Sequence, residues 1–192
     1  MGDLVGERSA GGRDALIDAA IALVAESGLT RLTYRSLAAK AGVTHGSVQH
    51  HFESIDAVLE AALSRCLEIS LAPLREVDSA HGYIDTLVES VKIAPQVHAF
   101  QYQLILESKQ RKSLRPYVKS LYENYWSLTE QSLKDMGLEP DMELVRAVYA
   151  IGEGIVFQIV ALGPDDPAGA ANAIAGFRRM FEPIISGPAV TR

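Results

Sequence analysis

Apolar residues recur at spacings of three and four from Asp14 to Ile185, and no sustained two-residue alternation interrupts them, so the pattern predicts an all-α fold. Leu16, Ala20 and Leu23 form one stripe with Ile17 and Val24 beside it, which predicts a helix from Asp14 to Ser27 stopped by Gly28. Met1 to Gly12, rich in glycine and charge and without apolar period, reads as a mobile arm. Val58, Leu59, Ala62 and Leu63 mark a longer helix opening at Ser54 and ending near Pro73. Ile84, Leu87, Val88 and Val91 mark the next, and Pro95 sits where a further helix begins. Pro116 to Met136 is amphipathic, with Gly137 as its stop, and Ala170, Ile174, Phe177, Phe181 and Ile184 form the last stripe. Asp141 to Leu162 is the most apolar run. Arg146, Glu153 and Gln158 interrupt it, and each charge at bilayer depth would cost roughly 2.5–3.5 kcal/mol, so it reads as a buried helix and not a membrane span. Gly152 and Gly154 would let another helix approach it closely. Two C-terminal helices of this kind, packed against their copies, would form a four-helix interface between subunits.

The most informative stretch is residues 32–52, LTYRSLAAKAGVTHGSVQHHF. Thr33 can cap a short helix whose inward positions are Leu37, Ala38 and Ala41, and Gly42 supplies the left-handed residue that ends it. Val43 is expected beneath the turn. Thr44 can cap a second short helix with Val48 and Phe52 inward, which leaves His45, Gly46, Ser47, Gln49, His50 and His51 outward. This is the pattern of a helix-turn-helix. Small, hydrogen-bonding outward groups suit the DNA major groove, where bulky apolar groups would neither approach base edges nor pair with them. The alternative is an all-α protein–protein interaction module that uses the same helix pair structurally. Salt-dependent binding to a palindromic duplex separates the two.

Charge sharpens the first reading. The 192-residue chain carries a net charge of −6, yet residues 1–52 hold five of the 18 Lys and Arg and five of the 24 Asp and Glu, so the whole deficit lies further on. An acidic body opposes loose phosphate binding and leaves specific binding open. The single cysteine, Cys66, excludes an intramolecular disulfide and reads as a small buried hydrophobe. The N-terminus lacks the apolar core of a signal peptide, so a cytoplasmic protein is expected.

Catalytic and metal chemistry find little support. His45, His50 and His51 do not put two imidazoles on one helix face, and no Cys or carboxylate completes a zinc set beside them. No phosphate-binding loop or nucleophile elbow occurs, so neither an enzyme nor a cofactor is expected. Tyr117, Tyr122, Tyr125 and Trp126 crowd into ten residues of a chain that is 7% aromatic. They either fill core space or line a ligand cavity.

The helix Asp14 to Glu26, Gly28, the 32–52 block and the following SIDAVLEAAL together resemble the DNA-binding region of the TetR/AcrR family of transcriptional regulators. The likeness covers about the first third of the chain. It rests on an apolar helix ending in ESG, then T-x-R-x-L-A-x-x-A-G-V, then a small-residue helix closing in H-F, then Ser opening a long helix. Two positions depart from it: Gln49 stands where the family usually has Tyr, and Ile55 where it usually has a phosphate-contacting Lys. The resemblance implies a flexible arm over 1–12, a three-helix DNA-binding domain over 13–53 and a larger ligand-binding and dimerisation domain over 54–192. It implies a homodimer joined through the last two helices, about 141–162 and 167–186. Thr44 to His51 would enter the major groove of a palindromic operator, with Arg35, His45, Gly46, Ser47 and Gln49 facing bases and Thr33, His50 and His51 facing phosphates. An apolar or amphipathic small-molecule effector would bind among His98, Gln101, Tyr102, Tyr122, Trp126, Tyr149 and Glu153. The family's habit points to a repressor; the effector, the operator, the regulated genes and the direction of the response stay open.

Overall fold

A computed structural model describes residues 4–77 and 80–186. Within them the chain is α-helical with short 3-10 turns, and no strand occurs among the described residues. The α-helices are α1 (Leu4–Ser27), α2 (Tyr34–Ala41), α3 (His45–His51), α4 (Ile55–Leu71), α5 (Ala80–Ile93), α6 (Pro95–Glu107), α7 (Arg115–Asp135), α8 (Met142–Leu162) and α9 (Pro167–Ser186). The glycines that the pattern used as stops behave as such: Gly28, Gly42, Gly137 and Gly163 all have positive φ, a region that costs a side chain strain. One start differs. The helix begins at Leu4 and so takes in most of the stretch expected as an arm, because helical backbone there does not require the apolar stripe that first appears at Leu16. Residues 1–3, and the side chains of Ile84, Ala170 and Ile184, fall outside the described residues.

The chain groups into two compact units, residues 1–68 with 96–119 and residues 69–95 with 120–192. In the first, Leu16, Ile17, Ala20, Ile21 and Val24 of α1 are buried, as are Leu37 and Ala38 of α2, Val48 of α3 and Val58, Leu59, Ala62, Leu63 and Cys66 of α4. Val97, Phe100 and Leu104 of α6 are buried in the same unit. Burial pushes the Cys66 thiol far up, so it remains a protonated, inert hydrophobe.

In the second unit α5, α8 and α9 pack together around Leu87, Val88, Val91, Val145, Val148, Ile155 and Val156, with Phe177 and Phe181 stacked at 4.8 Å. The Tyr83 hydroxyl meets Thr129 Oγ1 at 3.1 Å, and Thr129 donates to the Tyr125 carbonyl at 2.8 Å, which satisfies the polar groups buried here. By length and composition α8 could cross a membrane. One of its faces is buried instead, and Gly152 lies on it: a Cβ at Gly152 would come within 3.1 Å of Leu87 Cδ2, so this glycine permits the approach of α5. A Cβ at Gly154 would meet nothing within 4 Å among the described residues. Arg178 of α9 pairs with the Asp85 carboxylate of α5.

Candidate functional site

The helix-turn-helix is built from local hydrogen bonds that the sequence spells out. Thr33 caps α2, accepting from the Ser36 N–H at 3.1 Å, while the Thr33 N–H donates back to Ser36 Oγ at 2.9 Å. Gly42, at φ 68°, ends α2 in the left-handed region. Thr44 caps α3, accepting from the Ser47 N–H at 3.2 Å. Val48 and Phe52 are buried and seat α3 on the domain. His45, Gly46, Gln49 and His50 are exposed, with Thr44 at the start, and Ser47 is half-buried. Arg35 and Thr33, at the head of α2, are exposed as well.

Two placements differ from expectation. Val43 is 41% exposed and does not pack beneath the turn. Its backbone holds the turn instead, its N–H reaching the Ala38 carbonyl at 3.0 Å, and the side chain is left outside. His51, expected outward, is half-buried: its Nε2 would lie 3.3 Å from a Cβ at Gly12, so the imidazole rests against α1. It also meets His50 edge-on at 5.2 Å.

Tyr34 escaped the sequence reading. Its hydroxyl donates to the Phe52 carbonyl at 3.2 Å, and its ring meets His45 edge-on at 5.6 Å. One side chain thus touches both ends of α3. A second such group is Arg13, whose guanidinium lies 5.1 Å from the Phe52 ring centre. Lys40 pairs with Glu26 at 2.7 Å and ties α2 to α1. No spacing rule announces these contacts, since the partners are 18, 39 and 14 positions away.

Of the residues expected at an effector site, Tyr122, Trp126, Tyr149 and Glu153 form one contact set across α7 and α8 in the second unit. The Tyr122 hydroxyl donates to Glu153 Oε1 at 3.3 Å, and its ring lies 5.6 Å from Trp126 and 5.9 Å, edge-on, from Tyr149. Tyr125 stacks on Tyr149 at 5.3 Å, and Arg146 sits 4.4 Å over the Trp126 ring. Burial raises the Glu153 carboxyl, against the hydrogen bonds from Tyr122 and Tyr149 that favour its charged form. Burial, reinforced by the Glu153 charge, pushes the Tyr122 phenol up to about 12. The other three share α6 in the first unit: His98 and Gln101 are buried and Tyr102 is half-buried. Burial lowers the His98 imidazole to about 4, so it is neutral at pH 7. A void lined by Tyr83, Thr129, Met136, Phe177 and Phe181 has about 10 Å³ of free space. That is room for about one water and not for an effector. No group of three or more His, Cys, Asp or Glu residues is placed to hold a metal among the described residues.

Comparison with known proteins agrees with the geometry at both ends of the chain. Residues 16–62 match the model of bacterial regulatory proteins of the tetR family, and residues 75–183 match that of the tetracyclin repressor-like C-terminal domain. The chain is 24% identical over 185 residues to the HTH-type transcriptional regulator UidR of Escherichia coli K12, covering 91% of this chain and 93% of UidR. It is 37% identical over 67 residues to the HTH-type transcriptional repressor KstR2 of Rhodococcus jostii RHA1, covering 35% of this chain and 33% of KstR2. The crystal structure of the multidrug binding protein EbrR complexed with imidazole superposes with a TM-score of 0.65 at 28% identity, covering 93% of this chain and 92% of that one. The relatives are transcriptional regulators and not enzymes. With family matches spanning both the helix-turn-helix and most of the body, the chain belongs to the TetR family of transcriptional regulators.

Proposed function

We propose that the protein is a homodimeric, effector-responsive repressor that binds a palindromic operator through Thr44 to His51, with residues 13–53 reading DNA and residues 54–192 serving effector binding and dimerisation. The observation that carries this reading is α3 itself, capped by Thr44, seated on Val48 and Phe52, and exposing His45, Gly46, Gln49 and His50 next to Arg35. Arg35 is assigned a bidentate contact to guanine, Gln49 a contact to adenine in place of the family's usual Tyr, and Ser47 a smaller polar contact. Thr33 and His50 face phosphates; His51, half-buried, keeps at most one edge for them. The likeness to KstR2 in the first third of the chain favours repression. The protein acts where the DNA is, in the cytoplasm.

The effector is assigned to the Tyr122, Trp126, Tyr149 and Glu153 set of the second unit. Aromatic faces beside a partly buried carboxyl suit an apolar or amphipathic small molecule. The complexes of EbrR with ethidium, malachite green and proflavin, at 25–27% identity, favour that class. Dimerisation is assigned to α8 and α9, which expose Phe157, Leu162 and Met180 along with Ala147, Ala150, Ala171 and Ala175.

The decisive experiment titrates Arg35→Ala against the promoter of the protein's own or a neighbouring gene. A single bidentate base contact is worth about 1–3 kcal/mol, so affinity should fall roughly 5- to 150-fold with relaxed specificity at one base pair. Wild-type affinity and specificity in the variant would refute the assignment.

A further inference from the structure

Four of the 18 Lys and Arg residues of this acidic chain fall between Lys109 and Arg115, with Lys119 a turn further on as a fifth, in KQRKSLRPYVK, and no Asp or Glu stands among them. The stretch joins α6 to α7 and belongs to the same compact unit as α3. It is an ordered turn and not a loose strand of charge. Leu114 is fully buried, the Arg111 N–H reaches the Glu107 carbonyl at 2.9 Å, and the Leu114 N–H reaches the Arg111 carbonyl at 3.0 Å. It is also tied to the beginning of α4, because Arg111 Nη2 donates to Asp56 Oδ1 at 2.6 Å. Tyr117 lies within the fields of Glu60 and Asp56, one turn apart on α4. α4 starts four residues after the last residue of the recognition helix, and its own first turn, Ile55 to Val58, carries an acid and no base.

We propose that the turn from Lys109 to Arg115 is a second DNA contact, in which exposed Lys109, Lys112 and Arg115 meet backbone phosphates flanking the segment read by α3. The proposal rests on the DNA-binding reading above. A net charge of −6 repels a polyanion, and a cluster of exposed cations with no acid in its own stretch of chain, fastened beside the exit of the recognition helix, offsets that repulsion where the duplex would lie. The three exposed positions recur every three residues along the turn, which fits a linear array of phosphates better than one small anion. Arg111 holds the turn in place by neutralising Asp56, whose carboxylate would otherwise face the phosphates. Such contacts position the protein without reading sequence, so they add affinity and salt dependence but no specificity.

The test compares two full-length triple variants of equal charge, Lys109→Gln/Lys112→Gln/Arg115→Gln and, as control, Arg75→Gln/Lys92→Gln/Lys134→Gln in the second unit. Binding to the promoter duplex and to a mixed-sequence duplex is measured as a function of salt. Removing one cation from a phosphate lowers the slope of log K against log salt by about 0.9, so two or three such pairs in each half of a twofold complex make it shallower by about 4–5. The expected result is that flattening in the turn variant only, with at least a tenfold weaker affinity and an unchanged ratio of promoter to mixed-sequence binding. An unchanged slope in the turn variant, or an equal flattening in the control, overturns the proposal while leaving the DNA-binding reading intact. Loss of promoter preference in the turn variant also overturns it. Failure of the wild-type chain to bind either duplex overturns both. If the turn variant instead loses binding to anionic phospholipid vesicles and keeps its DNA slope, the turn belongs to a membrane surface and the proposal fails.

Discussion

Tyr34 shows how one side chain can set the geometry of a reading surface it does not belong to. Its hydroxyl reaches the carbonyl at the end of α3 while its ring leans on His45 at the beginning, so the helix is held at both ends. Tyr34→Phe removes the hydrogen bond and keeps the ring; the expected loss of stability is about 0.5–1.5 kcal/mol, read by chemical denaturation. Tyr34→Leu also frees His45, and promoter affinity measured by fluorescence anisotropy should then fall further than stability explains. If the two variants bind DNA alike, the ring has no positioning role. His98 makes a second residue-scale prediction. Its imidazole titrates near 4 when folded and near 6.5 when unfolded, so the unfolded chain binds more protons between those values. Its contribution is intact above about pH 6.5 and is lost as pH falls toward 4, by on the order of 2 kcal/mol at pH 5. Thermal melts at pH 7 and pH 5 should show a larger drop for the wild type than for His98→Gln. At this scale the sequence was readable wherever a role depends on neighbours three or four positions away: Thr33, Gly42, Thr44, Val48 and Phe52 all occupy the places their spacing predicts. Tyr34 and Val43 were not, because the first answers to a carbonyl 18 positions on and the second is used through its backbone.

Helices announce their ends more clearly than their beginnings. Gly28, Gly42, Gly137 and Gly163 terminate elements because a left-handed residue releases the chain from the helix at no steric cost, and Pro95 opens α6 because a first-turn proline loses no hydrogen bond. The start of α1 carried no such signal, since Gly2, Gly6, Gly11 and Gly12 argue against a helix on propensity alone. The sequence pairs Gly152 with Gly154 as sites of close helix approach, yet among the described residues Gly152 faces Leu87 and Gly154 faces nothing within 4 Å. Gly152→Val should therefore destabilise the protein by about 1–3 kcal/mol through overpacking on Leu87, more than the roughly 0.5 kcal/mol gained in helix propensity. Urea denaturation of this variant decides the point, and a stability equal to or above wild type would mean that Leu87 simply moves aside.

At the scale of the whole molecule, family and fold class were legible because the order of motifs in the first third is specific, whereas the effector was not. Many apolar patterns can bury the same C-terminal helices, and a cavity is a property of how side chains from distant helices fall together. Assembly is the part open to direct measurement. Phe157 is 50% exposed on α8, and on the proposed homodimer Phe157→Glu should shift the protein from dimer to monomer in sedimentation and weaken promoter binding at least tenfold, since each half-site of the proposed operator would be bound alone. A variant that stays dimeric would move the interface off this face of α8. Last, the unit that contains the helix-turn-helix is not a continuous piece of chain: residues 1–68 and 96–119 make it together, and α6 contributes Val97, Phe100 and Leu104 to its buried side chains. A chimera that joins the first 68 residues to the body of another regulator would inherit a reading head with part of its interior and its Asp56 partner missing. Exchange of effector response between such proteins therefore needs two grafts, and a lineage that trades sensors while keeping its operator must carry residues 96–119 along with the head.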